Sequence, residues 1–128
     1  DTVWTSDRLI AEDPETVAKF VEGLQKGYKW TAENLDEAAK IFVKYVTGYT
    51  GREDVAKDEW ISKGEFGVDK AAMKANGIGW MNPTTVEKTV NNVYIVYGIS
   101  EERHLDSYTE CFTNEFIKSD ICPETWPF

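Results

Sequence analysis

The side chains best suited to nucleophilic chemistry are two cysteines and a single histidine. Cys111 lies seven residues from His104, a combination that a thiol protease uses, but no sequence pattern around either residue supports that reaction. Cys111 and Cys122 match neither a CxxC redox pair nor a four-ligand zinc site. We therefore expect no catalytic residue. Of the two states open to the cysteines, a disulfide or two free thiols, the free thiols are favoured.

Carboxylates are the next candidates, because twenty-three acidic residues stand along the chain. Many form adjacent pairs such as Glu12 and Asp13, and neighbours on a helix point about 100° apart, so they do not grip one substrate atom together. Asp54, Asp58 and Glu59 offer oxygen ligands to a cation, although their spacing matches no EF-hand loop. The sequence thus predicts no metal ion and no cofactor.

Tryptophan is the most distinctive aromatic residue, with five copies in the chain. Aromatic side chains line binding sites for flat or sugar-like solutes. Trp4 and Trp80 stand beside a strand end or a turn, where a cleft reaches them, and they are our candidate ligand-binding residues. Trp30 stands at a helix end beside an apolar stripe, and we expect it in the core instead.

The charge balance excludes several classes of partner. A formal net charge of -9 and a pI near 4.6 disfavour nucleic acid and anionic membrane surfaces. No apolar run approaches the roughly 20 residues of a membrane span, so we expect no direct membrane insertion. The 128 residues suit a single domain or partial domain over positions 1–128. Because the first residue is Asp1 and no signal segment precedes it, we expect a chain processed or cut from a longer one.

The elements that must position these residues are mostly helices, preceded by one strand. Residues 1–6, in which Val3 and Thr5 alternate with Trp4, are typical of a short strand. Asp13 followed by Pro14 predicts the start of a helix. The apolar stripe of that helix is expected at helical spacing, with Val17, Phe20, Val21, Leu24 and Tyr28 as members.

The same helix contains two glycines, Gly23 and Gly27, which lie four residues apart on one side. Each weakens a helix by about 1 kcal/mol relative to Ala. Close approach of a neighbouring backbone would explain them.

Later elements follow from similar signals. Asn34 predicts the start of a second helix, which ends before Gly48. Residues 53–61 predict a shorter helix, residues 64–67 a loop, and residues 68–75 another short helix. Asn82 followed by Pro83 predicts a long helix that ends at Gly98. Residues 100–128 are expected to form broken turns.

Two stretches resemble one family, the solute-binding proteins of ABC importers for nitrate, sulfonates, taurine and thiamine precursors. The first runs from Trp4 to Val17 (WTSDRLIAEDPETV) and continues through GYKW at 27–30 and AENLDEAA at 32–39. It is similar to the family's return strand, its Asn-Pro-Glu helix start and its Glu-Asn-Pro-Glu-Glu-Ala turn. Asp13 replaces the more usual Asn, and Leu35 replaces the usual Pro.

The second stretch begins with GIGWMNP at residues 77–83. After the long helix it continues with Tyr108 and FTNEFI at residues 112–117. It resembles the family's Gly-Trp-Met-Asp-Pro entry to a helix and its closing Tyr-Thr-Asn-Glu-Phe.

The resemblance implies a fold and a function. The expected fold is a predominantly α-helical segment with a short N-terminal strand, forming part of a type II periplasmic-binding-protein α/β lobe. The expected function is the non-catalytic solute-binding component of an ABC importer, for a small organic solute or anion such as a sulfonate, taurine, nitrate or a pyrimidine. Its partners would be that solute and a membrane permease, and its location periplasmic or otherwise extracytoplasmic.

Two alternatives stay open. One is a segment of a thiamine-pyrimidine-synthesis enzyme of the same fold, which would need iron ligands and histidines from outside these residues. The other is a standalone helical sensory or interaction module.

Overall fold

The computed structural model describes residues 2–128, and over that range it contains six α-helices and no β-strand. The helices are α1 (Asp7–Glu12), α2 (Pro14–Glu33), α3 (Leu35–Tyr45), α4 (Glu53–Gly67), α5 (Lys70–Asn76) and α6 (Pro83–Tyr97). Short 3₁₀ turns cover Thr47–Tyr49, Glu101–Arg103 and Tyr108–Cys111. The prediction of a mainly helical chain is confirmed.

The predicted N-terminal strand and α/β lobe are wrong. Residues 2–6 have no regular structure, and Asp1 lies outside the described residues. A strand is stable only beside another strand, and residues 2–128 supply none. The chain instead turns directly into α1, where the Ser6 hydroxyl accepts a hydrogen bond from the Leu9 amide at 3.2 Å.

The starts of α2 and α6 lie where the sequence predicts them, because a capping side chain binds an amide only two or three residues further along the chain. The Asp13 carboxylate accepts a hydrogen bond from the Thr16 amide at 3.1 Å, with Pro14 in the first turn. That bond lowers the pKa of Asp13 below its ordinary value. Asn82 caps α6 in the same way, through the Thr84 amide at 3.0 Å. Gly98 ends α6 in the left-handed conformation, with φ of 59°.

Helix α4 runs further than the glycines predict. It was expected to stop before the loop at residues 64–67, yet it continues through Gly64 to Gly67. The ring of Phe128 lies against Gly64, where a Cβ atom would overlap it. A side chain at this position would have to displace that ring, and the glycine does not break the helix.

The core is small. Its buried apolar side chains are Val17, Ala32, Ala39, Val43 and Ile78, and none of the described residues is large and less than 2% exposed. The predicted stripe on α2 is only partly buried, since Phe20 and Tyr28 are exposed. Trp30, expected in the core, is 42% exposed.

The contacts between helices join helices that are consecutive in sequence, so the helices do not form a bundle around one core. Helix α3 packs against its neighbours α2 and α4, and α1 packs against α2. Helix α6 contacts the 3₁₀ turn at Tyr108–Cys111 and has no buried residue. Within residues 2–128, no helix combines the length and the apolar character needed to cross a membrane.

Candidate functional site

The hydrogen bonds between residues far apart in sequence are concentrated in one region, where three segments meet. They are the middle of α2, the loop at residues 77–81 and the C-terminal segment at residues 112–124. We call this region the junction. At its centre lies Gln25, a polar side chain only 3% exposed.

Gln25 binds both other segments of the junction. Its Nε2 donates to the carbonyl oxygens of Ile78 at 2.8 Å and Lys118 at 3.1 Å. Its Oε1 accepts from the Lys118 amide at 3.0 Å. One side chain thereby links backbone 53 residues away with backbone 93 residues away. Because both ends of the amide are bonded, its burial costs little free energy.

The loop and the C-terminal segment also bind each other directly. The Asn114 side chain accepts from the Met81 amide at 2.9 Å and donates to the Met81 carbonyl at 2.8 Å. The Ile78 amide donates to the Ile121 carbonyl at 2.9 Å. These three hydrogen bonds hold the loop beside the C-terminal segment, although neither segment is a β-strand.

Gly77 sets how closely the two segments approach. Its φ of 93° lies where residues with a side chain are strained, and a Cβ atom there would overlap the Lys118 carbonyl. No other residue type fits this position without moving the backbone.

A charged rim closes the junction near the end of α2. Lys29 Nζ donates to the Cys122 carbonyl at 2.8 Å and pairs with Glu33 at 2.9 Å. Glu33 in turn accepts from the Glu124 amide at 2.8 Å. The Glu124 amide and Lys29 together lower the pKa of Glu33, and the hydrogen bond with Glu33 raises the pKa of Lys29. Burial raises the pKa of the nearby Cys122 thiol.

The side-chain polar groups at the centre of the junction are engaged in hydrogen bonds within the chain. No buried side-chain nitrogen or oxygen in the described part of the chain lacks a hydrogen-bond partner. Gln25 and Asn114 bind backbone atoms of the other segments, so their side chains hold the three segments together.

The two candidate ligand-binding tryptophans lie in different settings. Trp4 is 87% exposed in the irregular segment before α1. Trp80 is half-buried in the junction loop, where its amide donates to the Gly77 carbonyl at 3.3 Å. No hydrogen bond or aromatic contact joins them within residues 2–128.

The cysteine and histidine considered for nucleophilic chemistry are both engaged locally. The Cys111 thiol donates to the Tyr108 carbonyl at 2.9 Å. His104 stacks on Tyr94 with ring centroids 3.8 Å apart, and its Nε2 lies 3.1 Å from the Ile99 carbonyl. Cys111 and Cys122 are free thiols, in agreement with the favoured alternative.

Surface depressions offer little enclosure. One, of about 580 Å³, is open to solvent and lies beside Tyr49, whose hydroxyl contacts both Glu59 oxygens at 2.8 Å. Another, of about 250 Å³, lies between α6 and residues 105–108. Neither is lined by Trp4 or Trp80. Among the described residues, no three metal-ligating side chains gather into a cluster.

The sequence did not reveal the junction. Gln25 is not among the predicted members of the apolar stripe of α2, although it follows Val21 by four residues and precedes the buried Ala32 by seven. That spacing was the available signal. Comparison with protein-family models, curated proteins and solved structures finds no match to this chain.

Proposed function

We propose that the chain is a non-catalytic interaction module whose apolar surface is completed by a protein partner. The observation that carries this proposal is its exposed area of 9314 Å². A compact monomer of 14.6 kDa exposes about 6,900 Å². The excess, about 2,400 Å², is larger than the ~800 Å² that each partner contributes to a standard protein interface.

Large apolar side chains supply much of this surface. Trp4, Tyr45, Phe66, Ile95 and Val96 are each more than three-quarters exposed, and they lie on four different segments. Contiguous apolar patches on a protein surface mark interaction sites. We infer that these side chains contribute to such a surface, which suits a broad protein contact better than a small-molecule pocket.

The net charge of the chain limits the classes of partner that it can bind. With a net charge of -9, the chain repels nucleic acid and anionic membranes. A protein surface with neutral, apolar character fits the exposed side chains best.

Dye binding and calorimetry test this function together. The folded chain should enhance the fluorescence of anilinonaphthalene sulfonate, and substitution of Phe66 and Val96 by Ser should reduce that signal, whereas K40A at an exposed charge should not. We expect no micromolar binding of taurine, nitrate or a pyrimidine. A chain that binds no dye and takes one of these solutes at micromolar concentration contradicts the proposal.

The solute-binding component of an ABC importer is a second candidate. What supports it is the sequence resemblance, together with the hydrogen bonds by which Met81 and Asn114, at the two ends of the second resembling stretch, bind each other. In this candidate the chain contributes helices to a larger extracytoplasmic protein whose partners are a solute and a permease.

The upstream reading frame separates the two candidates. A secretion signal followed by a lipid-attachment cysteine would support the importer component. A start codon immediately before Asp1 would contradict it and leave the interaction module.

A further inference from the structure

Helix α2 carries an aromatic face that the rest of residues 2–128 leaves only partly covered. Thr16, Phe20, Gly23, Gly27 and Trp30 alternate at spacings of four and three, which places them within one arc of the helix. We call this arc the outer face. Phe20 is 57% and Trp30 42% exposed, and the two lie about 15 Å apart along the axis.

Between the two rings the face is open. A Cβ atom added at Gly23 or Gly27 would meet nothing within 4 Å. Glycine weakens a helix interior, and here the chain itself gains no close packing in return. The neighbouring backbone that the sequence led us to expect is therefore not part of residues 2–128.

The outer face is complementary to itself. Read outward from Gln25, glycines stand two residues away on both sides and aromatic rings five residues away on both sides. In an antiparallel two-fold pair, Gly23 meets Gly27 of the second copy and Phe20 meets its Trp30. A two-fold interface needs this property, since one patch must match itself.

Charges beside the face are also complementary. Ion pairs at 2.6 Å between Glu15 and Lys19 and at 2.5 Å between Glu22 and Lys26 leave this flank neutral in a chain of net charge -9. Two copies therefore meet little net repulsion between their charges along this flank. The antiparallel arrangement places Glu22 beside Lys26 of the second copy, on both sides of the two-fold axis.

We propose that the chain forms a two-fold antiparallel homodimer through the outer face of α2. This inference rests on the proposed interaction module and names a second copy of the same chain as the partner of one part of its surface, the outer face of α2. The excess exposed area of about 2,400 Å² leaves room for the ~800 Å² per subunit that a standard interface buries.

Sedimentation over a dilution series tests the dimer with the full chain. The unmodified chain should be dimeric at high concentration, and a variant with Gln at both positions 23 and 27 should dissociate at least tenfold more readily. Glutamine favours a helix more than glycine does, so this variant should not lose helicity. G48Q, at another unobstructed glycine, is the matched control and should remain dimeric.

A second pair of variants isolates the aromatic rings. F20S should weaken the dimer, whereas Y97S, at a ring 76% exposed on α6, should not. A chain that is monomeric at every concentration overturns the inference. Equal weakening by G48Q or Y97S does so as well.

Cross-linking tests the orientation. In a background with C111S and C122S, a mixture of G23C and G27C chains should form a disulfide between copies. G23C alone should not, because the antiparallel arrangement separates its two copies of residue 23. Cross-linking of G23C alone contradicts the arrangement.

The outcomes separate this inference from the proposed function. A monomer that still binds the dye removes self-association and keeps the interaction module with a different protein on the outer face. A dimer in a chain that binds no dye supports the outer face as interface and removes the wider interaction surface.

Discussion

The two faces of α2 differ in how many contacts they make with the rest of the chain. On the inner face, Gln25 is buried and makes three hydrogen bonds to two other segments. On the outer face, two residues to either side, Gly23 and Gly27 border open space. One helix thus holds the chain together on one side and is unoccupied on the other.

The two faces contribute to the stability of the fold with opposite signs. Three net hydrogen bonds contribute about 1 kcal/mol each on the inner face. Two glycines cost about 1 kcal/mol each on the outer face. Helix α2 is therefore stabilised through its contacts in the junction, which offset the low helix propensity of its two glycines.

The largest effect is expected from closing the space beside Lys118. G77A combines a strained positive φ with overlap of the Lys118 carbonyl, and it should lower the free energy of unfolding by about 3 kcal/mol. Urea denaturation measures this. G48A, which has free space and no positive φ, should be nearly neutral, and an equal loss in both variants would show that Gly77 does not limit the junction.

Removing the inner-face amide comes next. Q25A should cost about 2–3 kcal/mol of unfolding free energy, because the Lys118 amide and two carbonyls lose their shared partner. K40A on the exposed side of α3 is the control and should change stability by less than about 0.5 kcal/mol. Equal stability of Q25A and the unmodified chain would contradict the claim that the inner face of α2 stabilises the fold.

A smaller loss is expected at the other end of the junction. N114A removes both hydrogen bonds to Met81 and should cost about 1–2 kcal/mol. The exposed Asn92 provides the matched control, since N92A should not destabilise the chain. Hydrogen exchange at the Met81 amide should accelerate in N114A alone.

The outer face should respond in the opposite direction. At concentrations low enough to keep the chain monomeric, G27A should raise the free energy of unfolding by about 0.5–1 kcal/mol, since alanine favours the helix and its Cβ meets no atom. Destabilisation by G27A in thermal melts would show that this face is already packed.

The weakest effect concerns pH. The pKa of Glu33 is lowered in the folded chain, so its contribution is present above the ordinary value of 4.5 and is lost as pH falls through the lowered value. The stability difference between the unmodified chain and E33Q should therefore disappear on acidification. NMR titration of the Glu124 amide checks the cause, and a difference that persists at low pH contradicts it.

Local signals predicted α2 and α6 well. Asp13 with Pro14 and Asn82 with Pro83 carry their own cap hydrogen bonds, which involve residues two or three positions away. The short helix α1 was missed because bulky residues before Ser6 were interpreted as a strand. A strand depends on distant partners, and periodicity within six residues does not reveal whether they exist.

The junction was not predictable from the sequence, for a related reason. The partners of Gln25 lie 53 and 93 residues away, so no local pattern identifies them. Gly64 shows the same limit, because it is explained by the ring of Phe128 and not by its neighbours in sequence. The resemblance to importer proteins stays a prediction, since its motifs are mostly helix starts that many helical proteins share.

The stacked pair of Tyr94 and His104 gives the molecule an internal reporter. Because the chain has one histidine, its ring protons form an isolated pair of NMR signals. With the rings nearly parallel, at an interplanar angle of 6°, the tyrosine ring current should shift those signals upfield. Separation of residues 101–105 from α6 would return them to ordinary positions, so one resonance follows the attachment of an entire segment.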